Sequence, residues 1–464
     1  MGLQLATQFL VISSHIAATG LIFWRTRRSG FSVGAATLVG GFFAVGPGLG
    51  YAEAYFGTPY FALWAAVSWF LAIEYVWPKG EPSPKRDRKL GLAVALASLA
   101  LGLTRPDGVF MAGFVFVGIA SQVPKDRAIR CFLAFAAVFG TLGIGYFVWR
   151  WNYFGHPLPN PFYKKGGFHL WFGSLATAIK TVIRFLLPIL PLYLLALRRS
   201  ESTRLALFSA IPVAGFTGIW ILLSGEMNYL GRFQYAVVPI AVMSAPMLFE
   251  SVRKAWELPH YRELEKRGRF VVGVGAVCAG ILLPLALFKP ALPGGVDGRA
   301  VIAQQLAGYA DQDYNLATTE AGLLPLLSTW DAIDTWGLND AWIAHSETGI
   351  TNEYLEAQDP ELVLIHGAWS PVFQDERWGA VLGPEWDEMT DLLRDWCAEN
   401  GYTLAAAWGA SHTDTFQFWV KDDFEHSAEV VHIIQSAEFE YMGGPGPFVD
   451  FNHVSGWLEL ATPE

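Results

Sequence analysis

Cations and carboxylates recur at close spacing in an otherwise apolar chain, and the tightest case is Thr104-Arg105-Pro106-Asp107-Gly108. A second cluster, Tyr51-Ala-Glu53-Ala-Tyr-Phe-Gly57-Thr58-Pro59, offers Glu53. A third runs from Arg150 through Asn152, His156, Pro159 and Asn160 to Tyr163, Lys164 and Lys165; a fourth holds Ser224, Gly225, Glu226, Asn228, Arg232 and Gln234. Lys and Arg neutralise phosphate, Arg as a bidentate fork, and a carboxylate can take the proton of an attacking hydroxyl while cations stabilise a departing phosphate. Arg105, Lys165 and Arg232 are therefore candidates for holding an anionic head group, and Asp107, Glu226 and Glu53 are the candidate catalytic carboxylates. Such cations beside apolar walls suit an amphiphile with an anionic head, such as a lipid-linked sugar phosphate. Structural readings of the same residues stay open. Arg105 with Asp107 could close a hairpin as an ion pair, Glu226 with Arg232 could form another, and Lys164 and Lys165 could anchor at a head-group layer.

The elements that must position these groups are apolar helices. Runs near residues 5–24, 32–50, 59–77, 89–104, 108–123, 131–149, 181–197, 205–223, 235–250 and 270–288 have spanning or nearly spanning length, so about ten transmembrane helices are expected. Residues 1–289 carry 28 Lys/Arg against 12 Asp/Glu, and residues 290–464 carry 4 against 30. Domains of 1–289 (membrane) and 290–464 (acidic, water-exposed) follow. Basic residues collect in alternate loops: Arg25 to Arg28, Lys79 to Lys89, Lys125 to Arg130, Arg198 to Arg204, and Arg253 to Arg269. By the positive-inside rule these loops face the cytoplasm, so the four polar clusters and the acidic domain face outward, at the plasma (inner) membrane. Met1 is then also outside. Glu74 falls at the cytoplasmic end of its helix, where it is expected to reach water.

In the acidic part, Leu316 to Thr318 and Leu362 to Ile365 read as short buried strands, Tyr354 to Ala357 and Trp386 to Cys397 as helices, and Tyr402 to Ala407 with Thr415 to Val420 as a hairpin. Gly443 to Pro447 reads as a turn-rich linker before a last strand-like piece. The fold class expected is a polytopic α-helical membrane protein followed by a small extracytoplasmic α/β domain. Its acidity excludes nucleic acid as a partner. His412, His426, His432 and His453 lack metal-ligand spacing, and Cys131, Cys278 and Cys397 are too scattered for a disulfide framework. No cofactor is indicated, although paired outer carboxylates would permit a divalent ion.

Four of these blocks carry a resemblance. Arg105-Pro106-Asp107-Gly108 resembles the Arg-Pro-Glu/Asp-Gly of the large polytopic membrane glycosyltransferases of the GT-C fold, arabinofuranosyltransferase-like members included. Pro157-Leu-Pro-Asn160-Pro-Phe-Tyr163-Lys164-Lys165 is similar to that family's Pro-Leu-Pro-Asn-Thr-Phe-Tyr-Ala-Lys, which puts Lys165 at the family lysine and marks Asn160 and Tyr163 as substrate-binding. Ser224-Gly225-Glu226 through Gly231-Arg232-Phe233 resembles Gly-Gly-Asp followed by Gly-Arg-Phe. Ala317 to Gly322 with Ile333 to Asp340 resembles the opening of the family's soluble domain. The shared order over residues 50 to 345 is more specific than any single motif.

The resemblance implies inverting transfer of a sugar from a polyprenyl-phosphate donor to an envelope glycan or lipid acceptor, with the bilayer as a further partner. Two departures accompany it. Gly57 stands where family members have a glutamate, with Glu53 one turn earlier. The aspartate that family members carry on their first outer loop has no counterpart, which implies either an upstream helix and loop or a chain without its general base. A non-catalytic lipid-carrier-binding or translocation protein is the alternative expectation.

Overall fold

The computed structural model describes residues 2–53, 56–78, 80, 83–165, 169–226, 228–257, 298–366, 383–411, 414–437 and 449–450. They form two compact units, Met1–Pro157 with Leu170–Pro290, and Leu158–His169 with Ala291–Glu464. The first is helical: α1 (Gly2–Arg28), α2 (Val33–Ala44), α3 (Pro47–Glu53), α4 (Thr58–Val76), α5 (Pro84–Thr104), α6 (Gly108–Ala120), α7 (Lys125–Val138) and α8 (Ile144–Phe154). The short α9 (Asn160–Lys164) packs with the second unit, and α10 (Phe172–Leu186), α11 (Leu190–Leu197), α12 (Ser200–Gly218) and α13 (Val237–Ala255) return to the first.

Nine of the ten apolar runs fall on these helices, and the tenth, 270–288, lies outside the described residues. Among the described residues, four helical segments are long and apolar enough to cross a membrane, and α10 with α11, bent by 95°, would make a fifth span. This is fewer than the ten expected, for physical reasons. With 12 and 13 residues, α2 and α6 are only ~18–20 Å long against a hydrocarbon core of ~30 Å. The first turns of α5 carry Lys85, Arg86, Asp87, Arg88 and Lys89, and α13 ends on Arg253 and Lys254. The most exposed apolar segment is Lys125–Phe154, where α7 runs through a π-helical turn (Phe139–Gly143) into α8. Its bare side chains include Leu133, Leu142, Phe147 and Trp149, a surface suited to lipid rather than water.

Helix α4 is buried along most of its length. Its Trp69 stacks on Phe208 of α12 at 4.2 Å and donates from Nε1 to Ser244 Oγ of α13 at 2.8 Å, so an amphipathic ring closes the core without an orphan donor. Two buried carboxylates inside this unit are paired with arginines. Glu74 does not reach water as expected but is 7 % exposed and accepts two hydrogen bonds from Arg28, at 2.8 and 2.6 Å. Asp87 of α5, also buried, faces Arg127 and Arg130 of α7 at 3.2 and 3.1 Å.

The second unit is built on one six-stranded sheet in the order β2-β1-β3-β5-β4-β6. Strands β1 (Asn315–Thr318), β2 (Asp331–Asp334) and β3 (Leu362–His366) are parallel; β4 (Tyr402–Ser411), β5 (Asp414–Lys421) and β6 (Val449–Asp450) join antiparallel. Every residue of β3 is buried because both faces of the sheet are covered. Leu362 and Leu364 face one core, with the helices Gly298–Leu306 and Ser427–Gln435, and Val363 and Ile365 face the other, with Gly383–Glu399. The expected strands, helices and hairpin of this unit are present. Residues 443–447 lie outside the described residues.

Candidate functional site: a two-arginine cluster between helices

The junction of α5 and α6 fixes the first arginine. Proline disfavours helical geometry in the residue before it, and Arg105 is extended at φ −150°, ψ 138°. Gly108 then lets α6 start directly beneath α5, where a Cβ would lie 2.4 Å from the Leu101 carbonyl oxygen. Within this turn Arg105 donates to both Asp107 oxygens, Nε to Oδ1 and Nη2 to Oδ2, each at 3.0 Å, and Asp107 is 8 % exposed.

The second arginine comes from the loop before α13. Leu230 holds a left-handed φ of 55° and Gly231 one of 75°, and a Cβ on Gly231 would lie 2.3 Å from Thr181 Cγ2 of α10, so glycine is required there on both grounds. The turn is tied down from three directions. Tyr51 of α3 donates to the Leu230 carbonyl at 2.7 Å, Asn228 Oδ1 accepts from the Phe233 amide at 3.0 Å, and Asn228 Nδ2 donates to Gln234 Oε1 at 2.8 Å.

Arg105 and Arg232 meet at one aromatic ring. Their guanidinium carbons lie 4.8 and 5.2 Å from the centre of Phe233. Arg105 also covers Phe61 at 5.1 Å, and Arg232 covers Phe56 at 4.3 Å. Phe233 itself is held flat against Trp220, 5.1 Å away at 9°. Asp107 is thus engaged by Arg105, and the buried Arg232 Nε has no hydrogen-bond partner among the described residues. Burial first, and the like charge of Arg105 second, lower the Arg232 guanidinium from its ordinary value. A second guanidinium close by and a buried donor left without a partner are the features of this cluster that an anion would complement.

The remaining candidates are placed as follows. Glu226 is half-buried in the Arg232 loop, where the Gly225 amide donates to Ser174 Oγ of α10 at 2.7 Å. Glu53 ends α3, and its side chain lies outside the described residues. Asn160, Tyr163 and Lys165 belong to the second unit. Asn160 opens α9, and the Lys165 amide closes it on the Pro161 carbonyl at 3.2 Å. The Tyr163 ring lies 4.2 Å from that of His345, and the Lys164 ammonium sits 4.1 Å over Trp336, so the second and fourth of the blocks that carry the resemblance meet in this unit. The aromatic partners Phe56, Phe61, Phe233 and Trp336 had no role assigned from sequence. Phe233 alone of the four adjoins a motif cation, Arg232, and in a chain with 33 Phe and 19 Trp that signal is weak. No group of His, Cys, Asp and Glu among the described residues is arranged to hold a metal ion.

Fold and site together define a largely helical chain with membrane-length apolar helices, a buried cationic cluster and a C-terminal α/β domain. A family model matches residues 295–421, from just before the Gly298–Leu306 helix to the last residue of β5, and that family is described as a domain of unknown function, DUF8728. No curated protein and no solved structure matches the chain.

Proposed function

We propose that this chain is a GT-C-type membrane glycosyltransferase that moves a sugar from a polyprenyl-phosphate donor to an envelope glycan or lipid on the outer face of the plasma membrane. The observation that supports the reading is the meeting of Arg105 and Arg232 at the Phe233 ring, with the buried Arg232 Nε lacking a hydrogen-bond partner among the described residues. In this reading the ten apolar runs all meet the bilayer, the short ones as broken or tilted segments, and the acidic domain lies outside.

Arg105 and Arg232 bind the donor phosphate, a role that the resemblance also gives Lys165. As the acceptor oxygen bonds to the anomeric carbon, the bond from that carbon to the phosphate oxygen breaks. Polyprenyl phosphate leaves with the electron pair, and the acceptor proton passes to a carboxylate. Both Asp107 oxygens are engaged in accepting hydrogen bonds from Arg105. The role of Asp107 is to aim that guanidinium, which leaves Glu226 or Glu53 as the base within this sequence.

Transfer of radiolabelled sugar from a panel of polyprenyl-phosphate donors tests the reading. Arg232→Gln and Arg105→Gln should each cost about 100-fold in transfer, the scale of losing one preorganised charge contact. Full activity with both Lys165 and Arg232 neutralised would sink the phosphate assignments. Donor binding without transfer would favour the carrier-binding or translocation protein.

A further inference from the structure

In the second unit the Trp342 indole, on the helix Ala341–His345, lies parallel to the Tyr354 ring on the helix Asn352–Gln358, 4.2 Å apart at 5°. Trp342 is 47 % exposed, unlike Trp330, Trp336, Trp386, Trp396, Trp408 and Trp419 of the same unit, which are all buried.

One side chain holds both rings. Asp340 Oδ1 accepts from the Ile343 amide at 3.0 Å and so caps the helix that carries Trp342, while its Oδ2 accepts from the Tyr354 hydroxyl at 2.8 Å. The pair is fixed before any ligand arrives, and preorganisation of this kind strengthens binding because little ordering remains to be done. Exposed hydrogen-bonding groups flank it along the chain: Asn339 three residues before Trp342, and Asn352 and Glu353 directly before Tyr354.

We propose that the Trp342–Tyr354 pair is a stacking platform for an uncharged, hydroxyl-rich glycan segment, which, on the glycosyltransferase reading, is the acceptor. The negative face of an aromatic ring attracts the slightly positive C–H edge of a sugar ring, and neighbouring carboxylate and amide groups exchange hydrogen bonds with its hydroxyls. Charge decides against other occupants. Residues 290–464 carry 30 acidic and 4 basic side chains, so a phosphorylated ligand, a nucleic acid or an anionic head-group layer is repelled.

The test uses the full chain in neutral-lipid nanodiscs without donor, so that it is independent of transfer. Neutral arabinan, mannan and glucan hexasaccharides are titrated by calorimetry, and saturation-transfer NMR reads the ring contact. At least one should bind saturably, with affinity falling about tenfold or more in Trp342→Ala. Trp342→Phe should restore most of it, and Tyr354→Phe should weaken it a few-fold. Equal affinity in the wild type and Trp342→Ala overturns the platform, as does no binding to any of the sugars. A Trp342→Ala defect seen only in partition onto phosphatidylglycerol vesicles would assign the ring to the membrane surface and overturn it too. Loss of transfer in the arginine variants with glycan binding intact leaves the platform standing.

Discussion

At the residue scale the cluster depends on two glycines as much as on its arginines. Gly108 lies under the Leu101 carbonyl, and Gly231 combines a φ of 75° with Thr181 in close approach. At Gly108 no flexible side chain can give way, because the obstacle to a Cβ is backbone. Gly108→Ala should therefore destabilise the first unit by about 1–3 kcal/mol and pull Arg105 away from Phe233. A thermal unfolding midpoint in detergent unchanged from the wild type would contradict this. Arg105→Lys separates geometry from charge, since it keeps the cation but loses the two-pronged contact with Asp107, and it should retain less than about a tenth of the transfer rate. The sequence made Arg105, Asp107 and Arg232 legible because charges in apolar surroundings need partners. It could not show that Arg232 meets Arg105 across Phe233, because that contact depends on a left-handed turn at Leu230, a residue with no turn propensity of its own.

Among elements, the long-range ties are the ion pairs between helix ends. Asp87 joins α5 to both arginines on α7, and Tyr75 of α4 donates from its hydroxyl to the Arg127 carbonyl at 2.7 Å. Removing one member of a buried charge set costs more than the set contributes, because the partner is left uncompensated. Asp87→Ala should destabilise the α4–α5–α7 packing by about 3–5 kcal/mol, whereas Asp126→Ala, at an exposed carboxylate, should cost less than about 1 kcal/mol. Similar losses for the two variants would mean that Asp87 is not a structural anchor. Helix positions were read well from apolar periodicity, which is set by local chain composition. The number of complete spans was less legible, because α2 stops just before Gly46-Pro47 and α6 has only 13 residues after its Asp107 cap. In the second unit β3 was plain as a doubly covered strand, and the hairpin announced itself by alternation. Strand β2 (Asp331–Asp334), half exposed and acidic at both ends, looks like loop to any hydrophobic pattern and becomes a strand only by pairing with β1.

For the molecule as a whole the governing asymmetry is charge, which sets how the second unit answers to salt and pH. Its buried triad shows one side of the balance: Glu320 accepts from Arg299 at 2.9 Å and meets His366 Nδ1 at 3.0 Å, at the ends of β1 and β3. Burial alone would raise its carboxyl, but the hydrogen bond and charge of His366, with Arg299, hold it below the ordinary range. Its stabilisation is therefore fully present above that range and is lost as pH falls through the depressed value. Asp334, Glu361 and Asp387 move the other way, each raised first by burial. Their contribution is present below the ordinary range and is lost as pH rises through the raised values. Mutual repulsion among 30 acidic side chains, against 4 basic ones, acts in the same direction as those three. The second unit should accordingly be most stable in mildly acid solution, about pH 5, and weaker both at neutrality and in strong acid, where Glu320 is protonated. At neutral pH added salt should stabilise it by screening the repulsion, and that gain should shrink toward about pH 5. Hydrogen exchange followed on peptides from 298–366 and 383–411 in the full chain reads this unit separately from the helices. Protection that falls as salt is added at neutral pH would mean that its ion pairs, not its excess of like charge, dominate its stability.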